Sequence, residues 1–257
     1  VKNEGGCISF IDRKTGKTLL RDVARESEPV VQERIVYDDA TARMEETANG
    51  KVTVKDIIRR DTIGESTRYI SHFSCPDTKA LYGLGAHMED YMNLVGKTMW
   101  LTQHNLKVMI PVLMSPQGYG LLFDAGCAMK YSSDGKGFTM QMEAAKQIDY
   151  YFIKGDRMED IVEGYRYLTG RVQLLPLYAF GYIQSKERYV SSDDLINTMR
   201  EYRRRHVPVD MIVQDWNYWP EGWGYMKMNR KYYPDPKALA DSIHAMNARL
   251  MVSIWPN

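Results

Sequence analysis

Val207 Pro208 Val209 Asp210 Met211 Ile212 Val213 Gln214 Asp215 Trp216 Asn217 Tyr218 Trp219 is the stretch on which the fold turns. It is a short apolar run rich in β-branched residues, opened by a proline and closed by a carboxylate among aromatic rings. That length and those boundaries predict a buried strand rather than a helix. A strand that hands over to Asp215 and Trp216 presents a polar group and an apolar plate at its C-terminal end. In a parallel α/β sheet or barrel, ligands bind at that end.

The segments around it repeat the pattern. Leu177 to Gln184 reads as a preceding strand and Arg249 to Trp255 as a following one. Between them, Ser191 caps a helix with Asp194 three residues on and Leu195, Met199 and Tyr202 on one face. Asp235, with Pro236 at the first helical position, starts another, with Leu239, Ile243 and Met246 inward. Strands alternating with helices predict parallel βαβ units. Three strands and two helices are too few to close a barrel of eight, which takes roughly 250 residues.

Upstream the pattern differs. Ile8 to Ile11, a polar turn and Thr18 to Leu20 read as a hairpin. Further strands are predicted at Val30 to Val36, Val52 to Ile58, Thr67 to Phe73, Met109 to Met114, Tyr119 to Phe123, Phe138 to Met142 and Ile148 to Ile153. Many short strands with polar turns predict an antiparallel β-sandwich. After Gly155, Asp156 is placed to cap a helix carrying Met158, Ile161, Val162, Tyr165 and Leu168, with Gly170 as terminator. The expected organisation is a two-domain chain. A β-sandwich covers 1–155, a linker helix 156–174, and the first part of a (β/α)8 TIM barrel, incomplete in this chain, 175–257.

Composition narrows the function. Thirty-four basic against 33 acidic residues leave a formal charge of +1, so no field gathers nucleic acid or an anionic membrane, and a neutral substrate fits. Eighteen tyrosines and five tryptophans suit stacking on a ligand as well as core packing. Cys7, Cys75 and Cys127 are odd in number and outside metal-ligand spacing, and His87, His104, His206 and His244 are scattered; neither a metal nor a cofactor is expected. Glycine pairs at Gly83 and Gly85 or Gly118 and Gly120 do not open a helix after a strand, which excludes a nucleotide loop. Arg203 Arg204 Arg205 near a helix end reads as a solvated face. No apolar stretch approaches membrane-spanning length, and no signal peptide opens the chain. The ends look cut, and no compartment is implied.

The order of several motifs is similar to that of a known family. Tyr82 Gly83 Leu84 Gly85, Asn93 with Gly96, Gln103 with Asn105, Ile110 Pro111, Ser115 and Gly118 Tyr119 Gly120 resemble the N-terminal sandwich of family 31 glycoside hydrolases. The likeness continues through Gly155 Asp156, Tyr165, Thr169 Gly170, Gly181 to Tyr189, the Asp215 segment, Tyr233 to Pro236 and Ser253 to Pro256. The Gln184 to Tyr189 run and Gln214 Asp215 Trp216 with Trp219 look most like the α-xylosidase branch.

The resemblance implies a retaining α-glycosidase acting on a small oligosaccharide that ends in α-linked xylose or glucose. Two aspartates do the chemistry in such enzymes, and a separation of ~5 to 5.5 Å between them goes with retention. Both follow later barrel strands in the family, so no catalytic residue is expected within this chain and the remainder of the barrel is its expected partner. Asp215 matches the family's substrate-binding aspartate, and Trp216 and Trp255 are candidate stacking surfaces. Glu187 stands where glucosidase members carry an aromatic residue near the sugar; it narrows the pocket's preference or pairs with Lys186 or Arg188. The loop from His87 to Trp100, with Glu89, Asp90 and Asn93, is where the family's sandwich would reach the pocket. The alternative is a non-catalytic carbohydrate-binding or scaffold module, and association into a homo-oligomer is left open.

Overall fold

The protein was analysed as a computed structural model, which describes residues 1–4, 6–47, 50–104, 106–216, 218–220 and 227–254. The chain divides into two compact units, Val1–Arg171 and Val172–Asn257.

The first unit is built of antiparallel strands: β1 (Lys2–Glu4), β2 (Cys7–Ile11), β3 (Thr18–Tyr37), β4 (Arg43–Thr47), β5 (Gly50–Val54), β6 (Ile57–Ser74), β7 (Tyr82–Ala86), β8 (Thr98–Leu101), β9 (Val108–Ser115), β10 (Tyr119–Phe123), β11 (Met129–Ser133), β12 (Gly137–Ala145) and β13 (Tyr150–Lys154). Seven form one sheet in the order β1-β2-β3-β6-β12-β11-β8, four form a second in the order β13-β10-β9-β7, and β4 and β5 make a hairpin. The alternation of each strand decides its faces. Phe138, Met140 and Met142 of β12 are buried while Thr139 and Gln141 between them are half-buried. Phe73 of the larger sheet meets Phe123 of the smaller one at 5.9 Å between ring centroids, so the two sheets share one core.

Two strands expected at 30–36 and 52–58 take a different form. β3 and β6 stay paired from Arg21↔Ser74 out to Tyr37↔Ile57, whereas β12 accompanies β6 only as far as Thr67. Beyond that point the chain is a two-stranded ribbon, open on both faces, with Val31, Ile58 and Ile63 exposed. The expected 52–58 strand is divided at Lys55 and Asp56, where Asp38 N–H donates to the Asp56 carbonyl (2.8 Å) and the chain passes from the β4–β5 hairpin into β6.

Helix α1 (Met158–Thr169) ends at Gly170 as its spacing predicts, but Asp156 is not its cap. The cap is Arg157, whose N–H donates to the Asp160 carboxylate (2.9 Å), while Asp156 pairs with Lys154 (2.7 Å) and Lys14 (3.2 Å). The helix lies close on the smaller sheet. Ile161 is fully buried, and a Cβ at Gly120 would run into its side chain.

In the second unit, β14 (Ile183–Gln184), β15 (Met211–Gln214) and β16 (Arg249–Val252) form a parallel sheet in sequence order. Helices α2 (Ser192–Arg204) and α3 (Pro236–Ala245) begin at their predicted caps: Ser191 Oγ accepts from Asp194 N–H (3.2 Å) and Asp235 Oδ1 from Ala238 N–H (3.0 Å). Leu195, Met199, Leu239 and Ile243 are buried in one cluster with Ile212.

Leu177 to Gln184 is not one strand. Leu177–Phe180 is a short 3-10 turn behind Pro176, closed by Ala179 N–H on the Pro176 carbonyl (2.9 Å). Asp210 then takes the Tyr182 N–H (3.2 Å), leaving two residues for β14. The arginine run also splits. Arg204 and Arg205 pair with Glu201, as a solvated face would. Arg203 instead turns inward and donates to the carbonyls of Val209 (2.7 Å), Met246 (2.8 Å) and Asn247 (3.2 Å).

Candidate functional site

Period-two alternation along β15 fixes the direction of the residue after it. Ile212 packs with the helices, and Gln214 is fully buried on the same side, where its amide meets Tyr189. Met211 and Val213 therefore face the other way, and continuing the alternation carries Asp215 to that opposite face. In a parallel barrel the face away from the helices is the interior, and the C-terminal strand end is its ligand-binding mouth.

Asp215 is half-buried there. Its Oδ1 accepts from the Trp216 N–H (2.8 Å), and its other carboxylate oxygen has no hydrogen bond among the described residues. A carboxylate pinned by one oxygen and open at the other suits a hydroxylated ligand, which donates to it. The Arg188 guanidinium lies 5.6 Å from the Trp216 ring centroid, which brings the loops after β14 and β15 together.

Glu187, next to Arg188, is exposed and has no ion pair among the described residues. The two cations beside it are engaged elsewhere: Lys186 pairs with Asp194 (3.3 Å) and covers the Tyr189 ring, and Arg188 covers Trp216. Trp255 lies outside the described residues.

Behind this surface stands a polar scaffold whose role the sequence does not announce. Gln214 Nε2 donates to the carbonyls of Tyr189 (3.2 Å) and Asp215 (3.2 Å), and the Tyr233 hydroxyl donates to the same Tyr189 carbonyl (2.5 Å). Tyr189 Oη in turn accepts from Gln184 Nε2 (3.2 Å), whose Oε1 receives the hydroxyls of Tyr182 (2.6 Å) and Tyr202 (2.7 Å). Burial pushes the Tyr189 phenol up and that of Tyr233 to about 12, so both phenols are neutral at ordinary pH. The position of each residue is legible as strand end or helix approach; that Gln214 and Tyr233 converge on the Tyr189 carbonyl is not.

The His87 to Trp100 loop belongs to the first unit and is internally tied. Asn93 Oδ1 accepts from the N–H groups of Leu81 and Val95 (both 3.1 Å), and its Nδ2 donates to the Lys79 carbonyl (3.0 Å). Glu89 is held by Lys107 (2.5 Å), whose ammonium keeps the carboxyl below its usual range, and it faces His87 (3.0 Å). Asp90 is exposed. Trp100 sits on β8 and is 47% exposed rather than in the core.

Parallel strands backed by helices on one face, with a half-buried carboxylate at a strand's C-terminal end, are the parts of a (β/α) barrel. Residues 172–257 match the model of the glycosyl hydrolases family 31 TIM-barrel domain, and the chain belongs to that family. It is 38% identical over 232 residues to the alpha-xylosidase of Saccharolobus solfataricus, a match covering 82% of this chain and 32% of that protein. A GH31 alpha-xylosidase from a soil metagenome, solved with xylose, superposes with a TM-score of 0.76 at 29% identity, over 98% of this chain and 36% of that one. The Xanthomonas citri GH31 alpha-xylosidase gives the same TM-score at 22% identity, over 98% and 41%, and shares the fold. The match thus spans about a third of the length of the Saccharolobus solfataricus protein and of the soil-metagenome enzyme.

Proposed function

We propose that the protein carrying this chain is a retaining α-glycosidase that removes terminal α-linked xylose or glucose from oligosaccharides or glycosides. The observation that carries this reading is Asp215: a half-buried carboxylate with one oxygen open, beside Trp216 and the Glu187–Arg188 loop. Its role is to hold sugar hydroxyls. The nucleophile and the acid/base are two further aspartates on strands after β16, ~5 to 5.5 Å apart as retention requires. Glu187 acts on sugar preference, a reading supported by its lack of an ion-pair partner among the described residues. Residues 1–155 serve as the sandwich, 156–174 as the connecting helix and 175–257 as the start of the catalytic barrel.

The test is turnover of aryl α-xylosides and α-glucosides by the full-length gene product. Asp215→Ala should lower kcat/KM by about two orders of magnitude, the order of losing a charged hydrogen bond of about 3 kcal/mol. A specificity constant unchanged by that substitution would make Asp215 structural. Binding without turnover in the wild-type protein would favour a non-catalytic carbohydrate-binding module.

A further inference from the structure

The outer face of the seven-stranded sheet carries side chains that the core does not use. Pairing across β8, β11, β12 and β6 places Thr98, Ser132, Thr139 and His72 in one row and Trp100, Lys130, Gln141 and Ile70 in the next. Directly opposed residues of antiparallel strands share a face, at a strand spacing of about 4.8 Å. Their neighbours Met99, Tyr131, Phe138, Met140 and Phe73 are buried on the inner side, so these two rows face outward.

Three features make this face a binding surface. First, Trp100 is 47% exposed on a rigid strand, where packing gives no reason for an indole. Second, the polar groups beside it are already ordered: Thr98 Oγ1 and Ser132 Oγ share a hydrogen bond (3.0 Å), and the His72 ring bridges Thr139 Oγ1 (3.2 Å) and Glu26 Oε1 (3.0 Å). A hydroxyl has one donor and two acceptor positions, so each keeps capacity for a ligand. Third, a depression of about 370 Å³ opens at the same row, lined by His72, Ser132, Thr139, Asp134 and Lys136.

Charge on the face is largely matched. Arg68 is held by Glu143 (2.8 Å) and Glu28 (3.1 Å), and Lys130 lies over the Trp100 ring (5.6 Å). An ionic ligand would have to displace these contacts. A neutral, polyhydroxylated chain leaves the Arg68 ion pairs in place and needs only the Lys130 side chain to swing off the indole: it presents an apolar ring face to that indole and hydroxyls to the ordered row.

We propose that this outer face is an auxiliary glycan-binding surface, with Trp100 as platform and the Thr98–Ser132–Thr139–His72 row as polar edge, taking a neutral polysaccharide chain. The choice of ligand class rests on the glycosidase reading; the surface itself lies wholly within the first unit. Such a surface would hold a polymer while its chain ends are processed elsewhere, raising effective substrate concentration without any new chemistry.

The test is affinity electrophoresis of the full-length protein through gels containing xyloglucan, dextran or soluble starch, with aryl glycoside turnover measured in parallel. At least one polysaccharide should retard the wild-type protein. Trp100→Ala should weaken that retention about tenfold, the order expected for one lost aromatic contact surface, and Thr139→Val by a smaller factor. Thr139→Val, which lies on β12 and outside the His87 to Trp100 segment, should turn over the short aryl glycoside like wild type. If near-ultraviolet circular dichroism shows Trp100→Ala misfolded, Thr139→Val decides. Retardation by none of the three polymers, or retardation that both variants keep, overturns the proposal. So does loss of self-association in place of retention when Trp100→Ala is sedimented, since the face would then belong to a second copy. Trp100-dependent retention in a protein without turnover would leave the surface standing and remove the glycosidase reading.

Discussion

Gln214 and Arg203 do similar work at opposite ends of β15. Each is a polar side chain turned inward, and each satisfies main-chain carbonyls that a short strand leaves over. Arg203→Met keeps the apolar stem but strips donors from the Val209, Met246 and Asn247 carbonyls. Loss of charged hydrogen bonds to partly buried carbonyls should cost about 2 kcal/mol in urea unfolding. Gln214→Leu should cost about 2 kcal/mol by the same logic, and should lower kcat/KM although Gln214 does not face the ligand, because it fixes the carbonyls of Tyr189 and Asp215. An unchanged urea midpoint in either variant would show that water replaces the lost donors. The sequence separates these residues poorly from their neighbours. Arg203, Arg204 and Arg205 are chemically identical, and only helical phase turns one inward and two toward Glu201. Asp215, by contrast, is legible because strand alternation and a terminal position both constrain it.

At the scale of elements, caps and periodicity carry most of the information. Ser191→Ala and Asp235→Ala each remove a cap whose hydrogen bond is present, and each should cost about 1 kcal/mol by thermal or urea unfolding. Helix α1 depends on small residues as well: a Cβ at Gly164 would meet the Ile153 side chain. Gly164→Leu should destabilise the unit by about 1 to 3 kcal/mol through overpacking, read as a lowered unfolding midpoint. Elements set by competition were harder to read. Leu177 to Gln184 has a strand's composition, but Pro176 sets a turn and the Asp210 carboxylate captures the Tyr182 N–H. The expected strand at 30–36 lies within β3, but the length of the β3–β6 ribbon is hard to read for a related reason. Its alternation mixes charges with valines and isoleucines on both faces, and cross-strand ion pairs such as Arg34–Asp61 (3.2 Å) replace the one-sided apolar pattern by which a strand is recognised.

Across the whole molecule, buried phenols set the behaviour in alkali. Burial raises the pKa of Tyr119, Tyr131 and Tyr150, and takes that of Tyr233 to about 12. The folded state therefore holds these protons more tightly than the unfolded chain, whose phenols titrate near 10. Their contribution to stability is complete below about pH 10 and declines as pH rises through the folded values. Each phenol adds a slope of about 1.36 kcal/mol per pH unit in that window. Urea midpoints should fall steeply above about pH 10, and a group of phenolate signals should appear only with unfolding. Free titration of all tyrosines in the native protein would contradict this burial.

The place of β6 in the larger sheet has a consequence for synthesis. β6 ends at Ser74 and lies between β3, already made, and β12, which begins only at Gly137. If β3 and β6 pair during translation, the far edge of β6, from Thr67 to Ser74, has no partner until β12 is made. In that interval a nascent chain shows the ribosome exit and its neighbours an unpaired strand edge. The half-made sheet is the stage at which this protein would most need a chaperone.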